Sequence, residues 1–472
     1  MNHFFIITLA SHPPPLMLVC FSQTTAGFSD YQFLAGLKSV NLSSLLVGGM
    51  ARVRAVLVGL GHRTACYASY ALQHPEEMEV VGLADPNGER LAIFAEKYNI
   101  PNDKCFSSSQ ELAASPRFGD IAINGTMDEA HVETTIPLVE AGYHVLLEKP
   151  IAPNSSELNL LDAAVTKAGV KVVICHVLRY APFYNAIQQR VVAGEIGEII
   201  HIHSTENVSY HHMAVAFVRG KWNKREVNPI MLAKCCHDLD LICWYNSGIK
   251  PTKVSSMGGR HFFTTKNAPE GAGENCFDCE IERDCQYSAK RHYIDNDWWP
   301  FYALAGEKNY EQGEQTDSKS LTNHISATDY GRCVWHSEND VVDRQSVIIE
   351  FENGSIASHD LVSNSSRATR RLQIVGTKGE IFGDMTSGEF TVCKPAATDG
   401  KEYTQEVVDT GVSEDMHGGG DLRLVQDFLS VVRGEQPSLA TTTLSDSLNS
   451  HRIAFAADIS MQESRFVDFD DI

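Results

Sequence analysis

From Arg52 to His176 the chain alternates short β-rich runs with amphipathic helical stretches, a pattern met by a parallel sheet with helices on both faces. Residues 53–58 read as a buried strand, 79–84 as a second, and 120–124, 143–147 and 170–175 as three more. Between them, 64–73 reads as a short helix. Asn87 is placed to cap another, whose Leu91, Phe94, Ala95 and Tyr98 share one face. A helix over 129–141 is closed by Gly142, and Ser155 or Ser156 caps one that ends near Gly169.

The pattern changes after Arg179. Residues 198–205, 253–258, 345–351, 355–361 and 371–376 read as strands without regular intervening helices, and Glu352-Asn353-Gly354 reads as a hairpin turn. The expected fold is α/β: a Rossmann domain over 51–176, then an α+β domain over 177–472 with an open, mostly antiparallel sheet. Residues 269–329 are polar and irregular, an insertion, and the end (421–433, 444–460) reads as helical. Residues 1–50 lack this patterning and contain the run Pro13-Pro14-Pro15. They read as a disordered extension or an upstream start, with Met50 a natural beginning and a targeting segment the alternative.

Hydrophobic residues make up 43% of the 472, enough for sizeable cores. The formal net charge of −21 repels phosphate backbones and anionic membranes, which argues against nucleic acid and lipid as partners. No run is long and apolar enough for a transmembrane helix. A cytoplasmic location is expected, with the twelve cysteines mostly reduced.

The run Gly59-Leu60-Gly61-His62-Arg63-Thr64 lies between the first strand and the first helix. Its glycines let backbone N–H groups reach a pyrophosphate, and Thr64 occupies the third glycine position, which should loosen the packing of helix on strand. Asp85 ends the second strand, where a carboxylate accepts hydrogen bonds from a ribose hydroxyl and repels a 2′-phosphate. NAD is therefore expected over NADP, held by Gly59, Gly61, His62, Arg63, Thr64 and Asp85.

At Glu148-Lys149-Pro150, about ninety residues on, the sequence resembles the Gfo/Idh/MocA oxidoreductase family. Thr126-Met127-Asp128-Glu129-Ala130-His131, Gly142-Tyr143-His144-Val145, Arg179-Tyr180-Ala181-Pro182 and Cys236-His237-Asp238-Leu239-Asp240 extend the likeness to the C-terminus. The resemblance implies reversible hydride transfer between NAD(P) and a carbinol carbon of a sugar, cyclitol or related polyol. It implies Lys149 beside the nicotinamide and His237 as a second proton-transfer group, with Thr126 and Glu148 on the cofactor side. Lysine suits this task because its basicity responds to burial and nearby charge. Many members carry Asp four residues before the histidine; here that position is Ala233, with Lys234 next to it as a candidate for substrate binding or proton relay. Asp240 could orient His237 or pair with an arginine. Arg179 and Tyr180 could contact cofactor or substrate, or join the domains. His131 reads as packing. Two alternatives share this scaffold: an NAD-dependent glycosidase and a non-catalytic dinucleotide sensor. The open sheet would expose an apolar face, so a homo-oligomer is expected.

Cys276-x2-Cys279-x5-Cys285, with Cys333 beyond, lies in the insertion. Such cysteines can clip a loop around structural zinc or pack as small hydrophobes. No catalytic metal is expected.

Overall fold

A computed structural model describes residues 52–304, 317–412 and 416–472. The expectations for residues 1–50 lie outside them. The first sheet holds β1 (Val53–Val58), β2 (Met78–Ala84), β3 (Cys105–Phe106), β4 (Ile121–Asn124), β5 (His144–Leu147) and β6 (Val172–Ile174). Its order is β3-β2-β1-β4-β5-β6 and every pairing is parallel. The order reverses beside β1, so a crevice opens at the C-terminal ends of β1 and β4, where such sheets bind ligands. The strands are apolar on both faces: Val56, Leu57, Ile121, Ala122, Val145 and Leu146 are fully buried.

Local chemistry sets the helix boundaries. Asn87 accepts from the N–H groups of Glu89 and Arg90 and starts Gly88–Tyr98. The cap of Ser155–Ala168 is Asn154 rather than either serine, its side chain accepting from Glu157 N, and left-handed Gly169 closes that helix. The single helix expected over 64–73 is two pieces, His62–Ala68 and Tyr70–Gln73.

The second sheet comprises β7 (Ile199–Ser209), β8 (Pro251–Gly259), β9 (Arg344–Phe351), β10 (Ile356–Ser365), β11 (Thr369–Gly376), β12 (Glu380–Asp384), β13 (Glu389–Pro395), β14 (Tyr403–Asp409) and β15 (Val467–Asp468). Its order is β14-β13-β12-β11-β7-β10-β9-β8-β15, antiparallel except for the parallel pair β10 and β7. Gly354 turns the β9–β10 hairpin with a positive φ of 83°. Strict alternation in β9, with Gln345, Val347, Ile349 and Phe351 buried and their neighbours exposed, shows one covered face and one open face. The helices Cys236–Tyr245 and Leu444–Glu463 lie against each other, the second also along β8. Among the described residues of 269–329 there are short turns of helix and one longer helix, Ser318–Ala327, capped by Asp317. None of the described helices is long and apolar enough to cross a membrane.

Candidate active site

The chain leaves β1 through Gly59 at φ +72°, where a Cβ would stand 2.6 Å from Thr126 N. Only glycine fits there. Thr64 does not loosen the loop as expected. It is fully buried and its hydroxyl donates to Gly59 O at 2.5 Å, filling the space that Gly125 leaves by lacking a side chain. Gly61 precedes the helix that starts at His62 and offers no side-chain cap to its first N–H groups. Asp85 is nearly buried and braces the loop: Oδ2 accepts from Leu60 N at 2.6 Å and Oδ1 from Asn87 N at 2.8 Å. His62 lies flat on Phe301 of the insertion, with ring centroids 5.1 Å apart. Thr126 donates to Asn124 Oδ1, and buried His131 ties Thr126 O to Pro150 O.

Glu148 and Lys149 follow β5. Glu148 is buried and its Oε1 accepts from Arg63 Nε and Tyr67 Oη, both at 2.8 Å. Arg63 also donates to Asp421 Oδ1 at 2.5 Å. Expected at the cofactor, Arg63 is instead spent on two carboxylates. Burial pushes Glu148 up, but Arg63 and then Lys149 outweigh it and hold the carboxyl below its ordinary range. Burial likewise opposes ionisation of Asp421, which the hydrogen bond with His417 and the charge of Arg63 nonetheless hold well down. Both groups are therefore anions at neutral pH.

Lys149 is half-buried, and its Nζ donates to Ala233 O at 3.1 Å. At the position where an Asp was the family expectation, a main-chain carbonyl receives the lysine. Lys234 points elsewhere, to Glu206 at 3.3 Å, and Arg370 joins Glu206 to Asp238. His237 is 4% exposed, in contact with His417 and His176 at ring separations of 5.7 and 5.8 Å, and its Nδ1 has no hydrogen-bond partner among the described residues. Burial, and next the charge of Lys149, keep its imidazole neutral.

Arg179, Tyr180 and Asp240 do not line this cleft as substrate ligands. Arg179 grips Asp240 with two bonds of 2.7 and 2.6 Å and donates to Thr441 O, while Tyr180 donates to Asp427 at 2.8 Å. All three are buried, and Asp240 faces the arginine instead of His237. Of the two roles open to Asp240, the arginine partner is the one found, and His237 meets His417.

The sequence reading missed Tyr67, His417 and Asp421. The available signal was Gly418-Gly419-Gly420 between a histidine and an aspartate. A Cβ at Gly420 would sit 2.2 Å from Val177 O, so the glycines bring His417 and Asp421 hard against the segment that follows β6. It also missed the aromatic wall of the insertion, where Trp299 packs on His212 at 4.6 Å and Tyr302 on Trp222 at 5.9 Å.

Residues 53–176 match the oxidoreductase family with an NAD-binding Rossmann fold, and 188–469 match that family's C-terminal alpha/beta domain. The Bacillus subtilis protein YteT is 23% identical over 74% of this chain and 82% of its own length. Trans-1,2-dihydrobenzene-1,2-diol dehydrogenase of Bos taurus is 28% identical over 39% of this chain, so the chain spans about half of that relative (53%). A solved NAD binding oxidoreductase from Klebsiella pneumoniae superposes with a TM-score of 0.64 at 15% identity, covering 89% of this chain and 99% of that one. Both halves of the described fold thus answer to a single family, and the chain belongs to the Gfo/Idh/MocA oxidoreductases.

Proposed function

We propose that the chain oxidises or reduces a secondary alcohol of a sugar, cyclitol or related polyol with NAD as the hydride partner. One observation carries this reading: Lys149 Nζ rests on the carbonyl of Ala233, four residues before a neutral His237, in a chain whose first loop excludes a Cβ at Gly59. The loop fits a dinucleotide because its backbone is bare and its helix uncapped. Gly59, Gly61, Thr126 and Asp85 would hold the cofactor, which supplies a two-electron hydride acceptor or donor when bound, while enclosed Thr64 braces the loop from behind. Lys149 Nζ handles the hydroxyl proton, and the neutral imidazole of His237 offers a lone pair that fixes the O–H direction. The mammalian relative named for a cyclic diol supports a carbinol substrate.

The reading is tested by screening polyols with NAD while following NADH and released sugar together. NADH without sugar release is expected. Sugar release without net NADH would point to the glycosidase reading, and neither signal to the sensor.

Asp85 underlies the preference for NAD over NADP. Replacing it by Ser removes the charge that repels a 2′-phosphate, so the ratio of NAD to NADP efficiency should fall about tenfold or more. The ratio is the readout, because Asp85 also braces Leu60. An unchanged ratio would remove Asp85 from cofactor selection.

Self-association is proposed through the open sheet face, where Met257, Ile348, Ile356, Val362, Phe382 and Val407 are all exposed. Such an apolar surface suits a second copy of the chain. Ile348→Asp with Phe382→Asp should lower the mass seen by sedimentation to that of a monomer; an unaltered assembly would exclude this face.

A further inference from the structure

Three cysteines of the insertion and Cys333 beyond it line one small cavity, with Arg219 on its wall. The cavity measures about 10 Å³, the size of a single ion or water. A short antiparallel bridge between Asn275 and Arg332 sets Cys276 beside Cys333, both 7% exposed. The intervening turns bring in Cys279 and Cys285.

Two of the sulfurs accept hydrogen bonds, as metal thiolates do. Arg219 Nη2 reaches Cys276 Sγ at 3.3 Å and Gly273 N reaches Cys279 Sγ at 3.3 Å. Arg219 supplies the independent observation. It is 2% exposed and donates to Arg332 O and Tyr287 O. Among the described residues it meets no carboxylate, and its Nη1 has no partner. Glu282, also on the wall, is taken by Ser288. A buried guanidinium without a counter-charge is costly. A divalent ion held by four thiolates carries a net charge of about −2 and would supply one.

We propose that Cys276, Cys279, Cys285 and Cys333 bind one structural zinc ion, paired with Arg219, that clips the insertion. The sulfurs ring the cavity without having closed on it, since no three lie within 4.8 Å of one another among the described residues. A tetrahedral zinc with bonds of about 2.3 Å needs sulfurs about 3.8 Å apart, so binding draws the turns inwards. Four protons leave as the thiols become ligands, and no electron is exchanged. The clip fixes the segment that carries Trp299 and Phe301 over His212 and His62.

Elemental analysis of the full chain purified without chelator tests this, and about one zinc per chain is expected. Cobalt added in place of zinc should give the thiolate charge-transfer band of a tetrahedral site. In Cys279→Ser/Cys285→Ser both the zinc and that band should be lost. Titrating the wild-type thiols with a mercurial should release the metal in step with about four sulfurs, a readout that does not depend on a variant folding. Less than about a tenth of a zinc per chain with no cobalt band would overturn the proposal, as would zinc retained in the double variant. Iron with acid-labile sulfide would overturn it as well.

Discussion

Lys149→Ala is expected to lower turnover by about 10²–10⁴-fold while leaving NAD affinity within a few-fold of the parent. The asymmetry follows from what the side chain touches. Its side chain has one hydrogen bond among the described residues, to a main-chain carbonyl, so its removal breaks no side-chain pair, and Glu148 keeps Arg63 and Tyr67. Glu148, one residue earlier, is different. It is locked by Arg63 and Tyr67 and holds the base of the site, so its substitution should damage folding as well as rate. Stopped-flow turnover and cofactor titration of Lys149→Ala separate the two quantities. Lys149→Arg should not rescue, because a guanidinium cannot give up its proton near neutral pH. Turnover within threefold of the parent would remove Lys149 from the chemistry.

The second large effect is on stability. Arg179→Met should destabilise the fold by about 3–5 kcal/mol, because it leaves Asp240 buried without its cation. Asp240 is fully enclosed, and burial already raises its pKa against the pull of Arg179. Without the arginine the carboxyl takes up a proton instead of staying charged. The pair variant Arg179→Met/Asp240→Leu removes both charges and should recover most of the loss. Denaturant unfolding of the three proteins decides this. If Arg179 bound substrate, KM would rise in the single variant at temperatures where it is fully folded; an unaltered KM is expected.

These two residues also mark what the sequence could convey. The parallel sheet was legible because β1, β2, β4, β5 and β6 are apolar runs separated by helices with readable ends. β3 was missed because two residues carry no period, and the caps were misassigned by one position where Asn154 precedes two serines. In the second sheet, β9 and β10 announced themselves by alternation and a glycine turn. β14, with six of its seven residues exposed, offered no apolar pattern to read.

The site was legible in its local parts only. Gly59, Asp85, Lys149 and His237 could be named because each sits at a strand end or in a short motif. Their partners could not. Arg63 meets Asp421 across 358 residues and Arg179 meets Asp240 across 61, and such pairings are set by packing instead of spacing. For the same reason the sequence left Arg179 open between a ligand contact and a structural role, and it is a buried clasp. Ala233 looked like a gap in the proton-transfer set, because side chains are what a sequence displays. The group that receives Lys149 is a backbone carbonyl, which every residue has.

The central claim is hydride transfer from a carbinol carbon, and isotope transfer tests it most directly. A panel of polyols deuterated at their carbinol carbons is incubated with the full-length protein and NAD, and the reduced nucleotide is examined by mass spectrometry. NADH carrying one deuterium from at least one polyol is expected, with the label lost when Lys149 is replaced by Ala. NADH formed without label, or no reduced nucleotide from any polyol with NAD demonstrably bound, would contradict it.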